Sequence, residues 1–174
     1  MNENFVEKVF KPVLGHPCWG LYHSRQLNLS MNFGKPSLRI REPIISKAKS
    51  ARVQKQMSRR CVTVKGEWWL WIYLCYWRLS SKMELLATGS SSAKKVAEAL
   101  AYLEGEKLIS VKFDPHRGVT QFGFDLGATL ECRPMTRDSL SKLWLFYQPD
   151  GNVVSAFADG TLTVIAQDDP LTNR

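Results

Sequence analysis

A mixed α+β fold dominated by antiparallel strands is what this sequence predicts, and three observations carry the prediction. Short runs alternate apolar and polar residues with period two, Gly, Pro and Asp cluster between those runs, and one stretch alone repeats apolar residues at helical spacing. With 174 residues, 44% of them hydrophobic and 11% aromatic, the chain is long enough to bury a substantial core as one domain or two small ones.

The strands come in order. Leu27, Leu29, Met31 and Phe33 alternate with Asn28, Ser30 and Asn32, and Gly34-Lys35-Pro36 ends the run. Leu38 and Ile40 then alternate with Arg39 and Arg41 up to Pro43, so the two runs are expected to form a hairpin. Val62 and Val64 open another strand, and Lys65-Gly66 is a turn signal. From Glu67 to Leu79 the sequence EWWLWIYLCYWRL is almost wholly aromatic or aliphatic on both parities, which predicts one central strand buried on both faces, with Trp69, Trp71 and Trp144 in the core. The helix is expected at about 91–104: Ser90, Ser91 and Ser92 are N-cap candidates, Val96, Ala97, Leu100, Ala101 and Leu103 share a face, and Gly105 stops it. Strands return at 108–113, 119–124, 129–133, 143–147, 153–157 and 162–165, separated by Asp- and Gly-containing turns, and a frayed polar tail of residues 167–174 closes the chain.

The halves resemble each other. Phe33 with Phe124 and Pro43 with Pro134 share an offset of 91 residues, while Trp69-Leu70-Trp71-Ile72 answers Trp144-Leu145-Phe146-Tyr147 at 75. Two similar β units are therefore expected, one over 1–88 carrying an insertion at 44–60 and one over 89–166 that includes the helix, side by side or fused into one compact domain.

The insertion is where the charge lies. Formal net charge is +8, and from Lys35 to Arg60 nine basic residues (Lys35, Arg39, Arg41, Lys47, Lys49, Arg52, Lys55, Arg59 and Arg60) face the single acid Glu42. Too few apolar residues accompany them to be buried, so 44–60 is expected outside the sheet with Lys47, Lys49, Arg52, Lys55, Arg59 and Arg60 on its surface. Those six are the candidate binding residues. A solvated loop has the same composition, but so concentrated a potential attracts acidic protein surfaces, nucleic acid or anionic lipid by one Coulomb term. No aromatic residue lies between positions 34 and 60 to stack on unpaired bases.

Other chemistries are poorly supported. Cys18, Cys61, Cys75 and Cys132 form no Cys-x-x-Cys pair and read as reduced thiols, Cys75 and Cys132 as core residues. His16, Cys18 and His23 crowd together without a fourth ligand, so no metal and no cofactor is expected. Neither Gly-x-Ser-x-Gly nor His-Glu-x-x-His occurs, and Gly89-Ser90-Ser91-Ser92 lacks the spacing of a phosphate loop. His116 with Asp114 or Arg117 in one turn, or His16 and His23 with Glu67 brought together by folding, are the remaining catalytic combinations, and neither makes an enzyme the favoured reading. The longest apolar run, Trp68 to Trp77, is about half the ~20 residues of a membrane helix. The charged start MNENFVEKVF departs from the apolar block of an export signal, so a cytoplasmic protein with no membrane partner is expected.

The strings VKFDPHRGVTQFGFDLGATLECRP and WLFYQPDGNVVSAFADGTLTV, with HPCWG, LRIREP and GEWWLWIYLCYW in the first half, resemble a family of uncharacterised bacterial β-rich domains. Some such domains lie near polymorphic-toxin genes and are regarded as immunity proteins. The resemblance implies an immunity or accessory factor and transfers no catalytic residue. Together with the charge map it favours a non-catalytic binding protein that docks an acidic partner, a toxin in the immunity case, with a nucleic-acid-associated protein as the alternative use of the same segment.

Overall fold

Successive side chains of a strand point to opposite faces, and hydrogen bonding joins the strands into two sheets around one core and a ribbon that belongs to neither. The structure, a computed structural model, describes residues 3–24, 28–82, 84–136 and 140–166. In chain order the elements are α1 (Glu3–Phe10), a 3-10 turn (Lys11–Val13), β1 (Trp19–His23), β2 (Leu29–Phe33), β3 (Ser37–Arg41), α2 (Ala51–Met57), β4 (Cys61–Lys65), β5 (Trp68–Ile72), β6 (Tyr76–Ser81) and β7 (Glu84–Thr88). There follow α3 (Ala93–Leu103), β8 (Leu108–Asp114), β9 (Val119–Phe124), β10 (Ala128–Arg133), β11 (Lys142–Tyr147), β12 (Asn152–Phe157) and β13 (Leu162–Ala166). One sheet has the order β1-β2-β5-β11-β12-β13, the second β7-β6-β10-β9-β8, and β3 pairs with β4 alone. Every pairing is antiparallel, so the fold is the β-dominated α+β class that the strand pattern predicts.

Register explains the core. Across the first sheet Leu29, Ile72, Trp144 and Ala156 lie in one row and Met31, Leu70, Phe146 and Val154 in the next, all buried. Ala87, Leu79, Leu130, Phe122 and Val111 make the matching row of the second sheet. The sheets meet through Trp144, whose Nε1 donates to Thr120 Oγ1 at 2.8 Å in a buried hydrogen bond. Phe10 of α1 completes the contact: its ring stacks on Phe146 at 4.2 Å and meets Trp144 and Phe122 edge-on at 5.6 and 5.8 Å. The helix is positioned for this by Phe5, Val6, Val9 and Phe10, two pairs four residues apart on one face.

The helix expected at 91–104 is α3. Ser92 caps it by accepting from Lys95 N, and Val96, Ala99, Leu100 and Leu103 are buried as it packs on β7 and β1. Ala97 and Ala101 are exposed instead, and Ala99 takes the buried place.

Four expectations change. The hairpin of the 29–33 and 38–40 runs does not form: β2 pairs with β1 and β5, and β3 pairs with β4, because Gly34-Lys35-Pro36 kinks an onward-running strand and does not reverse it. The single strand over 67–79 is two. The chain leaves β5 through Tyr73 and Cys75, with Leu74 in the left-handed region at φ 44°, and β6 joins the other sheet. Trp144 is fully buried, but Trp69 and Trp71 are half-buried on the opposite face of β5, where Trp69 stacks on Tyr147 at 4.6 Å. The match of Trp69 with Trp144 therefore pairs residues of opposite facing, as a one-residue difference in strand phase dictates. Finally, α1, β1 and β7 are elements that the periodicity reading passed over. Both sheets take strands from 1–88 and from 89–166. The tail 167–174 and Leu27 lie outside the described residues.

Phe10→Ala and Trp144→Ala should each cost about 3–5 kcal/mol in urea unfolding, since both empty the space between the sheets. Trp71→Ala, already partly in water, should cost roughly half as much or less. Equal losses for Trp71 and Trp144 would contradict the inward and outward facing described above.

Candidate functional site: a basic ribbon arm

The basic insertion tips a two-stranded arm. β2 runs on into β3 and β4 runs on into β5, so the pairing Phe33 with Trp68 is followed, after a kink, by Ser37 with Lys65 and continues to Arg41 with Cys61. The kink is held by side chains reaching the backbone. Asn32 Oδ1 accepts from Gly66 N at 3.1 Å, Glu67 Oε2 accepts from Lys35 N at 2.9 Å, and Trp19 Nε1 donates to Gly34 O at 3.0 Å. Glycine is required here by space. A Cβ on Gly66 would drive into the Phe33 carbonyl, and one on Gly34, where φ is +74°, would meet Glu67 and the Trp68 ring.

Beyond the kink the ribbon has two unlike faces. Leu38 opposite Val64 and Ile40 opposite Val62 make one, and Ser37, Arg39 and Arg41 with Cys61, Thr63 and Lys65 make the other. Leu38 is 68% exposed, Ile40 57%, Val62 56% and Val64 52%, so four aliphatic side chains stand in water. Alternation in the sequence predicts a half-buried strand here, yet no element covers it among the described residues. On the polar face Lys65 Nζ sits 3.3 Å from the centroid of the Trp69 ring, and burial, then the Arg39 charge, push its ammonium below the ordinary lysine value.

The tip shapes itself without a core. α2 has no buried residue, and Arg41 caps its C-terminal end by donating to the carbonyls of Met57, Gln56 and Arg59. Ile44 N donates to Met57 O, Gln54 Nε2 donates to Ala48 O, and Arg60 makes a forked pair with Glu42, its shortest contact 2.8 Å. Of the six candidate residues, all exposed as expected, Arg60 is thus engaged within the tip. Lys47 and Lys49 on the leading loop, Arg52 and Lys55 on α2 and Arg59 after it make no ion pair among the described residues. Arg39, Arg41 and the four aliphatics were not among the candidates. Their signal was the alternation itself, which does not show that a strand leaves the body of the protein.

The remaining reactive groups lie elsewhere. His16 lies against the Trp68 ring at 5.3 Å and His23 against Trp77 at 5.5 Å, while Cys18 Sγ donates to Leu103 O. Burial pushes the Cys18 thiol up to about 12 and, with Cys75 beside it, raises Cys132 well above the usual thiol range. Asp114 Oδ1 accepts from His116 N and Arg117 N, the hydrogen bonding of a turn, and Glu67 is spent on the arm's kink. On the second sheet Glu131 accepts from Gln121 and Arg133. Burial raises its carboxyl, but these bonds and the charges of Arg133 and Arg78 outweigh that and hold it below the ordinary glutamate value.

No protein family, no curated protein and no solved structure is found to match this chain. Among the described residues no helix is long and apolar enough to cross a membrane.

Gly66→Ala should destabilise the fold by about 1–3 kcal/mol, because backbone must move to admit one methyl group. In the native state a thiol reagent at neutral pH should label Cys61 alone, which is exposed on the arm while Cys18, Cys75 and Cys132 are buried, and Cys61→Ser should abolish the fast phase.

Proposed function

We propose that this chain is a binding protein that docks onto an acidic protein partner through its basic arm. One observation carries the reading: the surplus positive charge is gathered on a ribbon and tip that leave the core and bury almost nothing, yet are fastened at their base by three side-chain hydrogen bonds. A merely solubilising loop needs no such fastening. Exposed aliphatic residues among the charges favour a protein over nucleic acid, because interface cores are apolar with polar rims, whereas phosphate contacts need cations alone. A toxin is the partner that the resemblance to uncharacterised bacterial β-rich domains implies, and free thiols suit a reducing cytoplasm.

The test uses a photocrosslinker on Cys61 in nuclease-treated cell extract. The expected product is an adduct with an acidic protein. It should be lost in the quadruple variant Lys49→Glu, Arg52→Glu, Lys55→Glu, Arg59→Glu, and lost for the unmodified arm in about 1 M salt, where screening acts over ~3 Å. The variant should keep its Tm, since exposed substitutions of this kind each move stability by no more than about 0.5 kcal/mol. An adduct that survives the four reversals, or a dominant nucleic-acid adduct in untreated extract, overturns the proposal.

A further inference from the structure

We infer that the arm binds its partner by accepting a third β-strand along the open edge of β3, and that the added strand alternates aliphatic and acidic residues. This rests on the docking role proposed above and specifies what is docked. Both outer edges of the β3–β4 ribbon are unpaired among the described residues, so each presents a row of backbone donors and acceptors. A strand laid on either edge sends successive side chains to opposite faces. On this ribbon one face is Leu38, Ile40, Val62 and Val64 and the other is basic, so a matching strand must be aliphatic at every second position and acidic between. Two-stranded ribbons are marginal alone, and a third strand would take the four exposed aliphatics partly out of water.

Charge chooses the edge and excludes a twin. Along β4 the polar face holds Cys61, Thr63 and Lys65, and the Lys65 ammonium is already seated on Trp69. Along β3 Arg41 is spent on carbonyls at the tip, but Arg39 has no ion pair among the described residues, and Lys35 is close in sequence. A second copy of this chain would set one strongly basic arm against another, which is the usual means by which an edge avoids pairing with itself. An acidic strand meets the opposite condition. Strand addition of this kind takes affinity from main-chain bonds and specificity from alternate side chains.

The experiment compares two synthetic peptides of equal length and charge, (Leu-Glu)5 and (Ser-Glu)5, at neutral pH with the full chain. The Leu-Glu peptide is expected to bind at least about tenfold more tightly and to slow amide hydrogen exchange over residues 37–41. In Leu38→Thr, Ile40→Thr, which places β-branched residues suited to a strand at both positions, that preference should vanish while binding of the Ser-Glu peptide is unchanged. Equal binding of the two peptides, a preference that persists in the double variant, protection of 61–65 without 37–41, or a dimer in sedimentation that the double variant dissolves would each overturn the inference. The four charge reversals at the tip separate the two levels. If they weaken both peptides but the peptides bind alike, strand addition fails and docking stands; if they weaken neither, the docking role itself fails.

Discussion

The body of this molecule is arranged around one buried aromatic junction. Phe10, Phe122, Trp144 and Phe146 fill the space between the sheets, and the indole N–H of Trp144 is satisfied across the gap by Thr120. An unpaired indole donor at this depth would cost about 1–3 kcal/mol, so the polar atom that makes Trp144 expensive to bury also fixes how the sheets face each other. The first element of the chain supplies the central ring, which makes the short α1 part of the core and not an appendage.

The arm follows the opposite logic. It gains almost nothing from burial, and its posture comes from hydrogen bonds made where it departs: Asn32, Glu67 and Trp19 each satisfy a backbone group at the kink. Asn32 is itself buried in the sheet and also reaches back to the carbonyls of Trp19 and Gly20. The direction of the arm is thereby set by residues that belong to the body.

Much of this was legible in the sequence. Apolar runs bounded by Asp- and Gly-containing turns located β8 to β13 within a residue or so at each end, and the serine cap and apolar spacing located α3, because in each case local preference and tertiary burial agree. The exposure of 44–60 was also legible, since its composition leaves nothing to bury. What could not be read was pairing. Gly34-Lys35-Pro36 is a turn signal by composition, but whether such a step reverses a strand or kinks it depends on what lies beyond, here β4 returning to zip against β3. Likewise EWWLWIYLCYWRL is apolar on both parities, and nothing in that pattern shows that the chain turns at the left-handed Leu74 and sends its two ends into different sheets. The site was half visible for the same reason: charge is written in the composition, whereas the bare apolar face of the ribbon appears only once the partner strand and the missing cover are known.

The self-contained tip has an evolutionary reading. Arg41 on the carbonyls of α2 and Glu42 on Arg60 close the loop locally, and no side chain of α2 enters the core. The tip therefore holds its shape independently of the core, and most substitutions among Lys47, Lys49, Arg52, Lys55 and Arg59 leave the stability of the body untouched. A lineage bearing such an arm can vary the sequence and charge of its tip freely, without passing through unfolded intermediates.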